Sequence, residues 1–93
     1  MDSRDPIIVS AVRTPIGDFG QSLRDVSHTQ LASLVMGEVC KRASFPKTEL
    51  DDVYWGMVMP RSDENGLARC AVLEAGIPEN VSAVHVNRAC CSS

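Results

Sequence analysis

The sequence predicts an α/β fold in which the elements follow one another in the order strand, helix, strand, helix, strand. Three short apolar runs, rich in β-branched residues, separate two segments whose apolar residues recur at helical spacing. Nearly continuous apolar runs are typical of strands covered on both faces, as in a parallel or mixed sheet. With 93 residues, 44% hydrophobic and 23% charged, the chain has a globular composition and the length of one small domain.

The three strands are predicted at residues 6–12, 53–59 and 82–87. A loop with Pro and two Gly, residues 13–20, ends the first strand, because these residues favour turns. Pro60 ends the second strand. The third strand alternates apolar residues with a histidine and leads directly into a pair of cysteines.

The first helix is predicted to run from Ser27 to Ala43. Ser27 and Gln30 have the spacing of a capping box, which satisfies backbone N–H groups at a helix start. Gly37 inside this helix costs roughly 1 kcal/mol relative to alanine, and therefore suggests that another element approaches the backbone closely.

The second helix is predicted over about residues 65–75, and Gly76 followed by Pro78 is a stop signal. In such alternating folds the functional groups collect at the carboxyl ends of the strands. Three strands buried on both faces need more covering than two helices provide. We therefore expect a piece of a larger α/β fold.

Charge and hydropathy exclude several classes of protein. The net charge is −3 without a basic run, which argues against nucleic-acid binding. No apolar stretch reaches the roughly 18–20 residues that cross a bilayer, so no membrane span is expected. The charged start, with Asp2, Arg4 and Asp5, is unlike a signal peptide or a mitochondrial presequence. The expected location is cytoplasmic.

The four cysteines, Cys40, Cys70, Cys90 and Cys91, have neither zinc-site spacing nor that of a disulfide framework. We expect reduced thiols and no metal. Cys90 and Cys91 follow the third strand, where backbone N–H groups of a helix starting beyond it would favour a thiolate. They are candidate nucleophiles, and the alternative is that they are small buried hydrophobic residues.

Five segments resemble motifs of the thiolase family, in the family's order and spacing. They are residues 7–20 (A-x-R-T-P-[IF]-G-x-[FG] loop after a strand), 52–58 (second strand), 65–73 (N-x-A-R-x-A-A-L helix), 75–78 (A-G-[IL]-P) and 86–93 (V-N-[KR]-x-C-[GSA]-S-G). The resemblance implies a thiolase-like five-layered αβαβα fold. Residues 1–93 would be an incomplete part of its N-terminal domain, with the remainder supplied by further polypeptide.

The resemblance makes Cys90 the nucleophile, because Asn87 precedes it by three residues as in the family. Cys91 stands where the family has Gly, Ser or Ala, and is the second choice. Ser93 replaces the usual Gly, which leaves the substrate range open. The family's activating His, its second Cys and its coenzyme A loops belong to motifs beyond residue 93, so no cofactor-binding residue is assigned.

The implied activity is that of an acyl-CoA C-acyltransferase resembling acetyl-CoA C-acetyltransferase. It forms or cleaves 3-oxoacyl-CoA, such as acetoacetyl-CoA, through an S-acyl-cysteine, with coenzyme A and acyl-CoA as substrates and no covalently bound cofactor. The complete enzyme is expected to be a homodimer or homotetramer in fatty acid and lipid metabolism. The alternatives are a non-catalytic thiolase-like scaffold or binding subunit, and a ketosynthase-type condensing enzyme.

Two histidines and two arginines have simpler expected roles. His85 is expected to pack or hydrogen-bond rather than to act as the base for Cys90, and His28 to lie at the surface. Arg13 and Arg69 are expected to be buried arginines that link loop and helix. Their alternative role is to anchor coenzyme A phosphates.

Overall fold

The computed structural model describes residues 4–44, 46–59 and 66–92. Within these ranges the elements in chain order are helix α1 (His28–Arg42), a 3₁₀ turn (Lys47–Glu49), strand β1 (Asp52–Gly56), helix α2 (Leu67–Glu74) and strand β2 (Ser82–Val86). The α/β class is confirmed. Neither α1 nor α2 is long and apolar enough to cross a membrane.

Helix α1 begins at the predicted capping box. The Gln30 N–H donates to the Ser27 hydroxyl oxygen at 3.1 Å, and the Ser27 N–H donates to the Gln30 side-chain oxygen at 2.9 Å. The helix buries one stripe at four-residue spacing, formed by Ala32, Met36 and Cys40.

Gly37 lies beside this stripe. Among the described residues, no neighbouring heavy atom lies within 4 Å of the position that a Cβ would take there. Within the described residues, no element makes the predicted close approach at Gly37.

Helix α2 is the most deeply buried element, since Leu67, Ala68, Ala71 and Val72 are each at most 1% exposed. At its carboxyl end Gly76 has φ +79°. The N–H groups of the two residues after Ala75 donate back to the last turn, Gly76 to the Leu73 carbonyl at 3.2 Å and Ile77 to the Val72 carbonyl at 3.1 Å. This is the Schellman arrangement, so the predicted stop at Gly76 is confirmed.

Strands β1 and β2 are parallel neighbours, with Tyr54 opposite Val84 in the register. One sheet face, which includes Trp55 and Ala83, packs against the core. On the other face Tyr54 is 70% and Val84 44% exposed. The expectation of strands buried on both faces was wrong for the described chain, because both described helices belong to a core on one side of the sheet.

The core joins side chains from α1, from α2 and from the segment between α2 and β2. Its buried members are Ala32, Met36, Leu67, Ala71, Val72, Ile77 and Val81. Because α2 connects β1 to β2 and packs on both strands, it fixes where the carboxyl ends of the strands lie.

The first predicted strand, residues 6–12, is not formed. Ile7, Ile8 and Val9 are 66%, 90% and 68% exposed, and they line a shallow apolar depression of about 380 Å³ together with residues of α1 and Leu50. A strand exists only through hydrogen bonds to a neighbouring strand. Among the described residues, the run 6–12 has no such neighbour, so this prediction was wrong.

The other predicted bounds differ only at their ends. The second strand was predicted to Met59 and ends at Gly56, and the third was predicted to Asn87 and ends at Val86. Pro60, Asn65 and Ser93, each at the end of a predicted element or motif, lie outside the described residues.

Candidate active site

The segment after β2 lies at the carboxyl edge of the sheet. The N–H of Met57, just past β1, donates to the carbonyl of Val86 at 3.0 Å. This bond keeps the carboxyl ends of the two parallel strands side by side. Residues 87–92 therefore leave the edge at which parallel α/β sheets carry their functional groups.

Residues 88–92 form two overlapping turns with Cys90 inside both. The Cys91 N–H donates to the Arg88 carbonyl at 3.0 Å, and the Ser92 N–H donates to the Ala89 carbonyl at 3.1 Å. Each bond closes a four-residue β-turn. Cys91 and Ser92, the described residues after Cys90, are not helical, so the helix start expected beyond β2 stays a prediction.

Side chains brace these turns. The Ala89 N–H donates to the Asn87 side-chain oxygen at 3.0 Å. The Ser92 hydroxyl oxygen accepts the Arg88 N–H at 2.8 Å, and the hydroxyl donates to the Ala89 carbonyl at 2.7 Å. Asn87 thus holds the peptide group before Ala89, and Ser92 holds the peptide group after it.

Ala89 requires this bracing because its φ is +50°. Placing a residue with a Cβ in the left-handed region costs about 1–2 kcal/mol. Each hydrogen bond contributes about 0.5–1.5 kcal/mol net, so the bonds of Asn87 and Ser92 are large enough to offset that cost. Strained backbone held by its surroundings is common at functional sites.

The sulfur atoms differ in accessibility. Cys90, Cys91 and Cys70 are exposed, whereas Cys40 is buried in the α1 stripe, and all four are free thiols. Both predicted nucleophiles are therefore reachable from solvent, and exposure does not rank one above the other. Within the described residues Cys90 and Cys91 are therefore not buried, in contrast to the alternative expectation. Among the described residues, no three His, Cys, Asp or Glu side chains form a group that could hold a metal ion.

His85 acts as a cap for α2. Its Nε2 accepts the N–H of Ala68 at 3.0 Å, and an Nε2 atom that accepts a hydrogen bond carries no proton and has its lone pair engaged. The predicted hydrogen-bonded role is confirmed, and the arrangement does not favour His85 as the base for Cys90. His28, the first residue of α1, is exposed as predicted.

The two arginines behave differently. Arg69 donates to the Val81 carbonyl at 2.9 Å and to the Glu79 carbonyl at 2.7 Å, so it links α2 to the loop before β2 as predicted, although it is half-buried and not buried. Arg13 is exposed and donates to the Thr14 carbonyl beside it at 3.0 Å. The prediction of a buried Arg13 was wrong, since its loop does not pack into the core.

Sequence reasoning missed the contribution of Ser92. An Asn that accepts an N–H two residues on is a recognisable Asx turn, so Asn87 could have been singled out from the sequence. The two bonds of the Ser92 hydroxyl depend on the turn geometry of Ala89, for which the sequence contains no signal.

Comparisons with known proteins identify the family of this chain. Residues 6–93 match the family model for the thiolase N-terminal domain. An acetyl-CoA acetyltransferase of Syntrophomonas wolfei is 40% identical over 88 residues, which cover 95% of this chain and 22% of the relative. The chain thus spans about a fifth of that relative's length.

Solved structures give the same result. The crystal structure of the Bacillus anthracis acetyl-CoA acetyltransferase superposes with a TM-score of 0.87 at 41% identity, over 92% of this chain and 22% of that chain. The Acat5 thiolase from Ascaris suum, solved in complex with coenzyme A, superposes with a TM-score of 0.84 at 30% identity, over 91% of this chain and 22% of that chain. Because residues 6–93 match the family model and the solved thiolases superpose closely, the chain belongs to the thiolase family.

Proposed function

We propose that this chain is part of a thiolase-type acyltransferase that forms or cleaves 3-oxoacyl-CoA, and that Cys90 is its nucleophile. The main support is that Cys90 is exposed and lies inside two overlapping turns at the carboxyl edge of a parallel sheet. Membership of the thiolase family supports acyl transfer as the class of reaction. The S-acyl intermediate on Cys90 is part of the proposal.

In the proposed reaction the Cys90 thiolate attacks the carbonyl carbon of an acyl-CoA thioester. The bond from that carbon to the coenzyme A sulfur breaks, and coenzyme A leaves with the proton that Cys90 gave up. A second acyl-CoA then loses a proton from its α-carbon, and the resulting carbanion attacks the acyl carbon while the bond from that carbon to the Cys90 sulfur breaks. A carbon–carbon bond forms, Cys90 is released, and the product is a 3-oxoacyl-CoA. Thiolysis by coenzyme A is the reverse.

The groups that take and return these protons are proposed to come from the remaining thiolase polypeptide, with which this chain would act. The one histidine close to Cys90 in sequence, His85, has its Nε2 engaged by Ala68. Backbone N–H groups near Cys90 would stabilise the developing oxyanion.

Acetyl-CoA and acetoacetyl-CoA are the proposed substrates. The relative from Syntrophomonas wolfei is described as an acetyl-CoA acetyltransferase, and the Ascaris suum structure contains coenzyme A. We propose a homodimer or homotetramer for the complete enzyme, which light scattering on the purified protein tests directly. A monomer at working concentration would contradict it.

A cytoplasmic location is also proposed. Relatives include a cytosolic acetyl-CoA acetyltransferase and mitochondrial ones. Fractionation of the source cells should therefore find the protein either in the cytosolic fraction, as proposed, or in an organelle fraction. Enrichment in an organelle fraction would overturn this assignment without affecting the proposed reaction.

The test of the function is acylation of the natively purified protein by acetyl-CoA. Intact mass should show one acetyl adduct per chain, and digestion should place it on the peptide at Cys90. Cys90→Ala should abolish both the adduct and thiolysis of acetoacetyl-CoA, whereas Cys91→Ala is the matched control and should retain the adduct.

An adduct on Cys91 with Cys90 unmodified would refute the assignment of the nucleophile. No adduct on the wild-type chain, with no thiolysis activity, would support the non-catalytic scaffold. Acylation by a carrier-protein thioester but not by acetyl-CoA would support the ketosynthase-type alternative.

A further inference from the structure

The hydroxyl of Ser92 holds one particular peptide group, the one that joins Ala89 to Cys90. The carbonyl of that peptide accepts the Ser92 hydroxyl at 2.7 Å and the Ser92 N–H at 3.1 Å. The same hydroxyl oxygen accepts the Arg88 N–H at 2.8 Å. Ser92 therefore ties the start of the turn to its central peptide.

The orientation of this peptide determines where the Cys90 N–H points. A trans peptide is planar, so its N–H and C=O point in opposite directions, and no cis peptide bond occurs among the described residues. Because the Ala89 carbonyl points towards Ser92, the Cys90 N–H points away from it. That N–H and the exposed thiol belong to the same residue.

Without the hydroxyl, only the Ser92 N–H would hold this peptide against turning over. It is the central peptide of the turn from Arg88 to Cys91, and β-turn types differ chiefly in the orientation of that group. Ala89, at φ +50°, occupies a position that favours glycine, so the observed orientation is not the intrinsic preference of the backbone. Asn87 holds the preceding peptide through the Ala89 N–H. The side chain that holds the central peptide is that of Ser92.

We propose that Ser92 is a positioning residue that aims the Cys90 N–H at the oxygen of the thioester bound to the Cys90 thiol. The inference rests on the proposed function, in which Cys90 is the nucleophile. Donors fixed in advance towards a developing oxyanion lower the barrier to acyl transfer, because they do not have to reorganise during the reaction. Ser92 contributes through the backbone and does not contact the substrate.

The test compares acyl transfer with simple alkylation at the same sulfur. Acylation of Cys90 by acetyl-CoA develops an oxyanion, whereas alkylation by iodoacetamide does not. Ser92→Ala in the natively purified protein should lower the rate of acylation at saturating acetyl-CoA by about 10- to 100-fold. The KM and the alkylation rate of Cys90 should each change by less than about threefold.

Ser92→Thr and Ser92→Val form the matched pair, since they have the same shape and differ in the hydroxyl. Thr should restore acylation and Val should not. Ser82→Ala, at the exposed start of β2, is the control for loss of a serine elsewhere. If Ser92→Ala does not fold, the Thr and Val pair decides the question.

The outcomes separate this inference from the proposed function. Equal acylation rates in the wild type and Ser92→Ala, or in the Thr and Val variants, would overturn the role of Ser92 while Cys90 remained the nucleophile. A parallel fall in acylation and alkylation would also overturn it, because general loss of structure would then explain both. No acylation of the wild type would instead refute the proposed function.

Discussion

His85 connects β2 to the amino end of α2, and substitution can measure the strength of this connection. Its Nε2 accepts the N–H of Ala68 at 3.0 Å, and Ala68 is 1% exposed. His85→Phe keeps an aromatic ring and removes the acceptor. His85→Gln keeps an acceptor oxygen on a side chain of similar reach, so it serves as the matched control.

The expected loss follows from the buried N–H. Removing a helix-capping acceptor costs about 0.5–2 kcal/mol, and a buried donor left without a partner costs about 1–3 kcal/mol. We therefore expect His85→Phe to lower the free energy of unfolding by about 1–2 kcal/mol, a change of roughly 5- to 30-fold in the folded-to-unfolded ratio. His85→Gln should remain within about 0.5 kcal/mol of the wild type.

The assay is equilibrium unfolding in urea followed by the fluorescence of Trp55. This is the single tryptophan of the chain, and it packs against the core that α1 and α2 share, so its emission reports on the unfolding of that core. A lower midpoint at an unchanged slope would show a change in stability alone.

Equal midpoints for the Phe and Gln variants would refute the capping role. Acetyl transfer provides a second comparison, because a side chain that only caps α2 should be replaceable by Gln with little loss of activity. A folded His85→Gln protein without acetyl transfer would instead assign His85 a role in the chemistry.

Three further predictions concern the core, the start of α1 and the turn before Cys90. Leu67→Ala should lower the free energy of unfolding by about 2–5 kcal/mol, while the control Leu73→Ala, at a side chain 51% exposed, should stay within about 0.5 kcal/mol; similar losses in urea unfolding would contradict the described core. Ser27→Ala should cost about 1 kcal/mol, read from the urea midpoint, and an unchanged midpoint would mean that the capping box is not formed in solution. Ala89→Gly should leave stability unchanged or raise it by up to about 1 kcal/mol, because it relieves the positive φ; a clear loss in the same assay would show that the turn has another conformation.

The features that the sequence predicted correctly are those specified by neighbouring residues. The capping box of Ser27 and Gln30 needs only three residues of separation, and the stop at Gly76 needs a residue that accepts positive φ. The strand Ser82–Val86 follows from its alternating apolar pattern and differs from the prediction only in its last residue. The capping box and the helix stop do not depend on the rest of the chain, whereas the strand also needs β1 as its neighbour.

The features that the sequence did not predict depend on partners distant in the chain or on exact turn geometry. The run 6–12 has the composition of a strand, but a strand also needs a neighbour, and composition does not supply one. The contact from His85 to Ala68 joins residues 17 positions apart. At the candidate site the sequence supplied the cysteines, whereas the bonds of the Ser92 hydroxyl follow from the positive φ of Ala89.

The parallel pair of β1 and β2 has a consequence for the behaviour of the chain in concentrated solution. Within the described ranges the sheet has two strands, so each strand presents one row of backbone groups to the outside, next to the exposed ring of Tyr54. Open edges of this kind act as templates for strands of other molecules. In a preparation of residues 1–93 alone, turbidity and scattered light should therefore rise with protein concentration, and adding charged side chains along either edge should suppress the rise.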